Sequence, residues 1–219
     1  MSEGATEPAK IASDVGAGSR AIQASQPGTS AWDAQIEAIR RNDEIPGIDI
    51  AKYESPDTVA SEHQIWFSGD KVIKATAYGK FGHSIADGPG KNSPLEYLRR
   101  IAAAKEAFGG SEKLIGKFEN PDGTLGLIHS QDFVTGKGEG ETPTVPQIEK
   151  FLSDHGFSKD PKREGVFVNH EKGIEISDAH PGNFIVDAAG NVVPIDVLAR
   201  KFDASKELHR GTSCRCHPR

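Results

Sequence analysis

An α+β fold, one helix against a small antiparallel sheet followed by a second strand-rich segment, is predicted by three observations. Residues 63–133 run strand, strand, helix, strand, strand, as their hydrophobic period switches between two and 3.6. Residues 146–196 then give a helix and several short extended runs divided by turn signals. Only 36% of the 219 residues are hydrophobic, while 24 are Gly and 13 Pro, which points to a loop-rich chain with unstructured ends.

Each element has its own signal. From Met1 to Ser30 the large apolar residues are only Met1, Ile11, Val15 and Ile22, too few to offset the entropy of ordering. Residues 1–45 are therefore expected to be a largely disordered arm. Its one short helix falls at 31–41, where Trp32, Ile36 and Ile39 recur behind a Ser30 cap. The folded part is expected to begin near Ile48, with a first unit over 46–133. There His63-Gln-Ile-Trp-Phe and Lys71-Val-Ile-Lys-Ala-Thr flank a Ser68-Gly69-Asp70 turn. Ser93-Pro94-Leu95-Glu96 opens a helix with a capping serine, a proline at the first position and a glutamate three residues after the cap. Leu95, Leu98, Ile101 or Ala102, and Phe108 give its buried stripe, and Gly109-Gly110 ends it. A second hairpin turns at Pro121-Asp122-Gly123. Over 134–202 a helix from Pro146 to Gly156 precedes strands at 165–169, 173–177, 184–187 and 192–196. Residues 203–219 read as a flexible tail.

Charge and composition narrow the function classes. With 26 Lys and Arg against 32 Asp and Glu the net charge is −6, which makes nucleic acid an unexpected partner. No apolar run reaches 18 residues, and MSEGATEPAK lacks the order of a secretion signal, so no membrane partner is expected. Cys214 and Cys216 stand too close to staple a fold, and a cytoplasmic setting fits best. His209, Cys214, Cys216 and His217 are poorly matched to structural zinc spacings and read as tail residues.

Functional residue types are densest at Ser177-Asp178-Ala179-His180-Pro181-Gly182-Asn183, followed by Pro194-Ile195-Asp196. A Pro-Gly turn swings Asp178 and Asn183 together, and a following hairpin returns Asp196 to the same end. Three oxygen-bearing side chains gathered in this way suit Mg²⁺ and a phosphate-bearing substrate. Taken alone, Asp178 and Asn183 also suit an ordinary turn, and Lys74 an ordinary strand lysine.

The five-residue step from Asp178 to Asn183, with Asp196 beyond, resembles the catalytic core of the protein-kinase-like superfamily. The form Asp-x-His-Pro-x-Asn is similar to the catalytic loop of aminoglycoside phosphotransferases. The chain looks most like the short serine/threonine/tyrosine kinase domain found in polyvalent proteins of phages and other mobile elements. Glu62-His63, Glu96-Tyr97-Leu98, Phe108-Gly109 and Gln131 carry that likeness, over roughly residues 48–200. It implies a minimal protein-kinase-like fold, an N-lobe at 46–133 and a truncated C-lobe at 134–202, in a bacterial or phage setting. By the same resemblance Asp178 is the catalytic base and Lys74 holds the phosphates of ATP. Asn183 and Asp196 bind Mg²⁺, while Gln131, Phe133 and His180 contact the nucleotide. Glu96 orients Lys74, with Glu106 the other candidate for that pairing. The acceptor is a protein or small-molecule hydroxyl. The chain also departs from the pattern. The stretch Tyr53–His63 before Lys74 holds no glycine, Ile176 stands two before Asp178 where the pattern has His, and Val197 follows Asp196 with no glycine after it. Only 23 residues follow Asp196, so the segment that binds a protein substrate is expected to be missing.

Overall fold

The computed structural model describes residues 7–60, 62–77, 80–82, 92–136 and 142–202, and the chain divides into two units, Met1–Thr135 and Gly136–Arg219. The residues of the zinc reading and of the 203–219 tail lie outside the described residues. Those that are described form four α-helices and eleven strands, all paired antiparallel, so the fold is α+β.

The first unit starts well before Ile48. Helix α1 (Pro8–Ser25) begins on a proline at the position where a missing N–H costs nothing. Its Ile11, Ala12, Val15, Gly16 and Ser19 recur on one buried face. The expectation of a disordered arm is corrected here, because Ile11 is fully buried in the same core as Leu95, Leu98 and Leu127. Composition missed this helix because its packing relies on small residues. A Cβ placed on Gly18 would meet the Ala38 Cβ at 3.1 Å, so the two helices approach almost backbone to backbone. Helix α2 (Ala31–Arg41) forms where its spacing predicts, with the Asp33 N–H donating to Ser30 Oγ at 3.0 Å.

Strands β1 (Thr58–Val59), β2 (His63–Ser68) and β3 (Lys71–Thr76) follow. Helix α3 (Pro94–Phe108) comes next, closed at its start by a capping box and at its end by Gly109 in the left-handed region, φ 69°. Strands β4 (Lys113–Glu119) and β5 (Leu125–Asp132) complete a sheet in the order β1-β2-β3-β5-β4. The core lies on the sheet face that α3 covers. Leu95, Tyr97, Leu98 and Ile101 meet Leu114 and Leu127 there, while Trp66, Ala75, Phe118 and Ile128 form a smaller cluster. Lys117 of β4 donates three hydrogen bonds to the Ile39, Arg40 and Asn42 carbonyls, satisfying the open C-terminal end of α2.

In the second unit, α4 (Val145–Asp154) carries the capping box of Thr144 and Gln147. Strands β6 (Ser158–Lys159), β7 (Phe167–Asn169) and β8 (Ile174–Ser177) precede a 3-10 turn at Pro181–Asn183. Then come β9 (Phe184–Val186), β10 (Val192–Pro194) and β11 (Leu198–Lys201). The sheets are β11-β8-β7-β6 and the hairpin β10-β9. Three short strands, β1, β6 and β11, escape the sequence reading, two of them only two residues long. The third, β11, starts two residues after Asp196, within the expected 134–202 segment, where the reading names no strand.

Candidate functional site

In the second unit the local topology assembles one acidic group. Strand β8 ends at Ser177, immediately before Asp178, and β11 starts at Leu198, two residues after Asp196. Because Ser177 lies opposite Leu198, both aspartates stand at the same end of this strand pair. Between them the β9-β10 hairpin closes with Phe184 opposite Pro194. The Asn183 carbonyl, just before the hairpin, then accepts the N–H groups of Ile195 at 2.9 Å and Asp196 at 3.4 Å. Asn183 also reaches the other way. Its Nδ2 donates to the Asp178 carbonyl at 2.8 Å and to Asp178 Oδ2 at 2.9 Å. Asn183 thus staples Asp178 to the backbone at Asp196.

Asp178 is the one non-glycine residue with positive φ among the described residues, at 59°. That conformation costs an L-residue about 1–2 kcal/mol, and Asp and Asn bear it best. The two bonds from the Asn183 amide help to offset it. Such strain in a site whose surroundings over-determine it is a pointer to function. His180 is 57% exposed and Asp178 50%, and the His180 Nε2 lies 3.6 Å from Asp178 Oδ1. The Gly182 N–H donates to His180 Nδ1 at 3.1 Å, so the ring's own proton sits on Nε2, toward Asp178. A Cβ on Gly182 would stand 3.0 Å from His180 Cε1, and the tight turn therefore wants glycine. His180 braces the loop.

Beneath the loop lies a residue the sequence reading passed over. Glu175, on β8 and only 1% exposed, accepts Arg200 of β11 at 2.9 and 3.0 Å and Arg163 at 2.6 Å. This buried anion clamps the strand pair whose ends carry the two aspartates. The alternation of Ile174 and Ile176 reads Glu175 as an outward strand residue, so the sequence carried no signal of its burial.

The first unit holds the remaining candidates. Lys74 lies on β3, 6% exposed, opposite Ile65 on one side and His129 on the other. Glu96 does not pair with it. Its Oε2 accepts the Ser93 N–H at 2.9 Å and its own N–H donates to Ser93 Oγ at 3.2 Å, so the carboxylate is spent on the exposed cap. This corrects the expected Lys74–Glu96 pair, because a third-position glutamate behind a serine cap is held at the helix start. Glu106 is also on the exposed side of α3. Gln131 is buried on β5 opposite Val72. Phe133 follows it, 45% exposed and edge-on to the exposed Phe67 with ring centroids 5.6 Å apart. The connection from β1 to β2, residues 60–62, contains no glycine.

The donors at Asp178, Asn183 and Asp196 are carboxylate and amide oxygens, with no thiolate or imidazole in the set, which suits a hard cation such as Mg²⁺. Asn183 uses its amide nitrogen on Asp178, so Oδ1 is the end suited to a cation. Among the described residues no group of three or more His, Cys, Asp or Glu side chains comes together as a metal cluster.

An antiparallel sheet with its covering helix, followed by a strand pair ending in an Asp, Asn and Asp group, defines a kinase-like class of domain. The model of one family, described as a serine/threonine/tyrosine kinase found in polyvalent proteins, matches residues 43–201. The chain belongs to that family, and so to the kinase-like phosphotransferases. The match takes in every strand and helices α3 and α4, and leaves α1 and α2 outside. No curated protein matches the chain, and no solved structure matches it. No helix among the described residues is long and apolar enough to cross a membrane.

Proposed function

We propose that the chain is an ATP- and Mg²⁺-dependent phosphotransferase that moves the γ-phosphoryl group to a hydroxyl acceptor. The observation that carries this reading is the convergence of Asp178, Asn183 and Asp196 at one end of the β8-β11 pair. In this reading the acceptor oxygen bonds to the γ-phosphorus, the bond from that phosphorus to the β-phosphate oxygen breaks, and ADP leaves. Asp178 takes the acceptor's proton, and its main contribution is to position that hydroxyl, since the transition state is loose. Asn183 and Asp196 hold the cation, which when bound neutralises charge on the phosphate oxygens. Lys74 holds the α- and β-phosphates, and Gln131 and Phe133 meet the base. With two carboxylates in the group, the site repels ATP without its cation. The acceptor is a hydroxyl of a protein or a small molecule, and the family's polyvalent proteins suggest a bacterial mobile-element setting.

Thermal shift with ATP and Mg²⁺, against ATP with a chelator, tests this directly. The expected result is stabilisation that needs the metal and is lost in Asp196→Asn. No shift in the wild type overturns the reading. Asp178→Asn keeps a residue that tolerates positive φ, so the loop survives while transfer falls by roughly 10²- to 10⁴-fold. A second reading, a kinase fold kept as a binding module, is favoured by the glycine-free β1-β2 connection and by the diversion of Glu96 to its cap. Metal-dependent binding without transfer, unchanged by Asp178→Asn, supports that alternative.

A further inference from the structure

The sheet face under α3 carries buried polar side chains that the phosphotransfer reading leaves unused. His63 of β2 and His129 of β5 are both buried and share the hydroxyl of Tyr97, which is fully buried on α3. His63 Nε2 lies 2.9 Å from Tyr97 Oη, and His129 Nδ1 lies 2.8 Å from it. A hydroxyl has one proton, so it donates to one ring nitrogen and accepts from the N–H of the other. Two neutral imidazoles satisfy both bonds.

Strand β3 runs between the two histidine strands. Thr76 is the cross-strand partner of His63, and Lys74 that of His129. Directly opposed residues of antiparallel strands share a face, with Cβ atoms about 5 Å apart. The His129 ring therefore forms part of the wall beside Lys74. From α3, Arg100 stands 5.4 Å from the centre of the Tyr97 ring and donates to Glu62 at 2.8 Å. The charged and titratable groups gathered around His129 are thus His63 from β2, Lys74 from β3, and Tyr97 and Arg100 from α3, with Glu62 balancing Arg100.

We propose that Tyr97 is the positioning residue for Lys74: its hydroxyl locks His63 and His129 as a neutral wall that steers the lysine toward phosphate. The helix then acts on the lysine's surroundings through a hydrogen-bonded tyrosine, while Glu96 caps the helix start. This rests on the reading of Lys74 as the phosphate-holding lysine. A cationic imidazole on this wall would repel Lys74 and Arg100 at short range in a poorly screened interior. Burial first, and then the His63 ring and the Lys74 and Arg100 cations beside it, accordingly hold His129 well below its ordinary range near 6.5.

The test is titration calorimetry of the full chain with MgATP and, separately, with adenosine, which has no phosphate for Lys74 to meet. Tyr97→Phe is expected to weaken MgATP by roughly tenfold, the loss of about 1.4 kcal/mol, and to leave adenosine binding alone. Equal losses for both ligands, or no loss, overturn the proposal. His129→Asn supplies the second variant: it keeps a hydrogen-bonding group near Nδ1 but takes up no proton. The wild-type preference for MgATP over adenosine is expected to fall as the pH drops far enough below 6.5 for the folded His129 to take up a proton, and to fall less in His129→Asn. A variant that keeps the wild-type pH dependence also overturns the proposal. A wild type that binds neither ligand removes the nucleotide reading itself, which is a different failure from a wild type that binds both and a Tyr97→Phe that binds as well.

Discussion

The two units bury charges of opposite sign. The first places the cation Lys74 against a sheet face walled by the His63, Tyr97 and His129 rings. The second encloses the anion Glu175 between Arg163 and Arg200, and leaves Asp178 and Asp196 exposed. A buried charge needs partners that cancel its desolvation cost. In the second unit the partners are opposite charges, and what they hold is a strand register. In the first unit the surroundings include hydrogen-bonded rings as well as the Arg100–Glu62 pair, and burial keeps His129 from taking up a proton easily. The comparison teaches that one chain can stiffen a loop by ion pairing in one unit and line a buried lysine with hydrogen-bonded rings in the other.

The difference can be broken from either side. The largest expected effect lies in the core on which the first network rests: Ile11→Ala should lower stability by about 2–5 kcal/mol in urea denaturation. A change under half a kcal/mol would instead fit the disordered arm that composition suggested. Next comes Glu175→Gln, which strands two arginines. Because both are more than a third exposed, the expected cost is about 2 kcal/mol, at the lower end for a broken buried pair. A double-mutant cycle with Arg200→Met should show coupling, and simple additivity would count against the clamp.

The third prediction concerns pH. The folded chain holds His129 below 6.5, so at acid pH the unfolded chain takes up a proton that the folded chain refuses. Stability is therefore complete above about pH 6.5 and falls by up to about 1.4 kcal/mol per pH unit below it. Urea midpoints from acid to neutral pH should show this slope, and His129→Asn should flatten it. The smallest effect is Glu96→Ala, which opens the α3 capping box at a cost of about 1 kcal/mol, read as a modest drop in melting temperature.

Much of this was legible in the chain itself. Helix α3 announced both its ends through Ser93-Pro94 and Gly109, and the hairpin turns at Gly69 and Gly123 carried their own residues. Local rules suffice where a segment's hydrogen bonds are made within the segment. Helix α1 was not legible, since its Ala12, Gly16 and Gly18 gain their value only from a partner surface. The Asp178, Asn183 and Asp196 group was visible because the hairpin joining its members is short. The buried His63, Tyr97 and His129 bridge was not, because its members are 34 and 32 residues apart and nothing in their neighbours requires them to meet.

The amino-acid sequence by itself determined the α+β order, the caps of α2, α3 and α4, and which residue types could gather at the loop of residues 177–183. Those features follow from period, turn chemistry and short loops. Only the tertiary structure decided that Glu96 caps its helix, that Glu175 is buried beneath the loop, and that Tyr97 links two strands on either side of Lys74. The physical reason is that burial and pairing are properties of facing surfaces, and facing surfaces exist only once the sheet and its helices have packed.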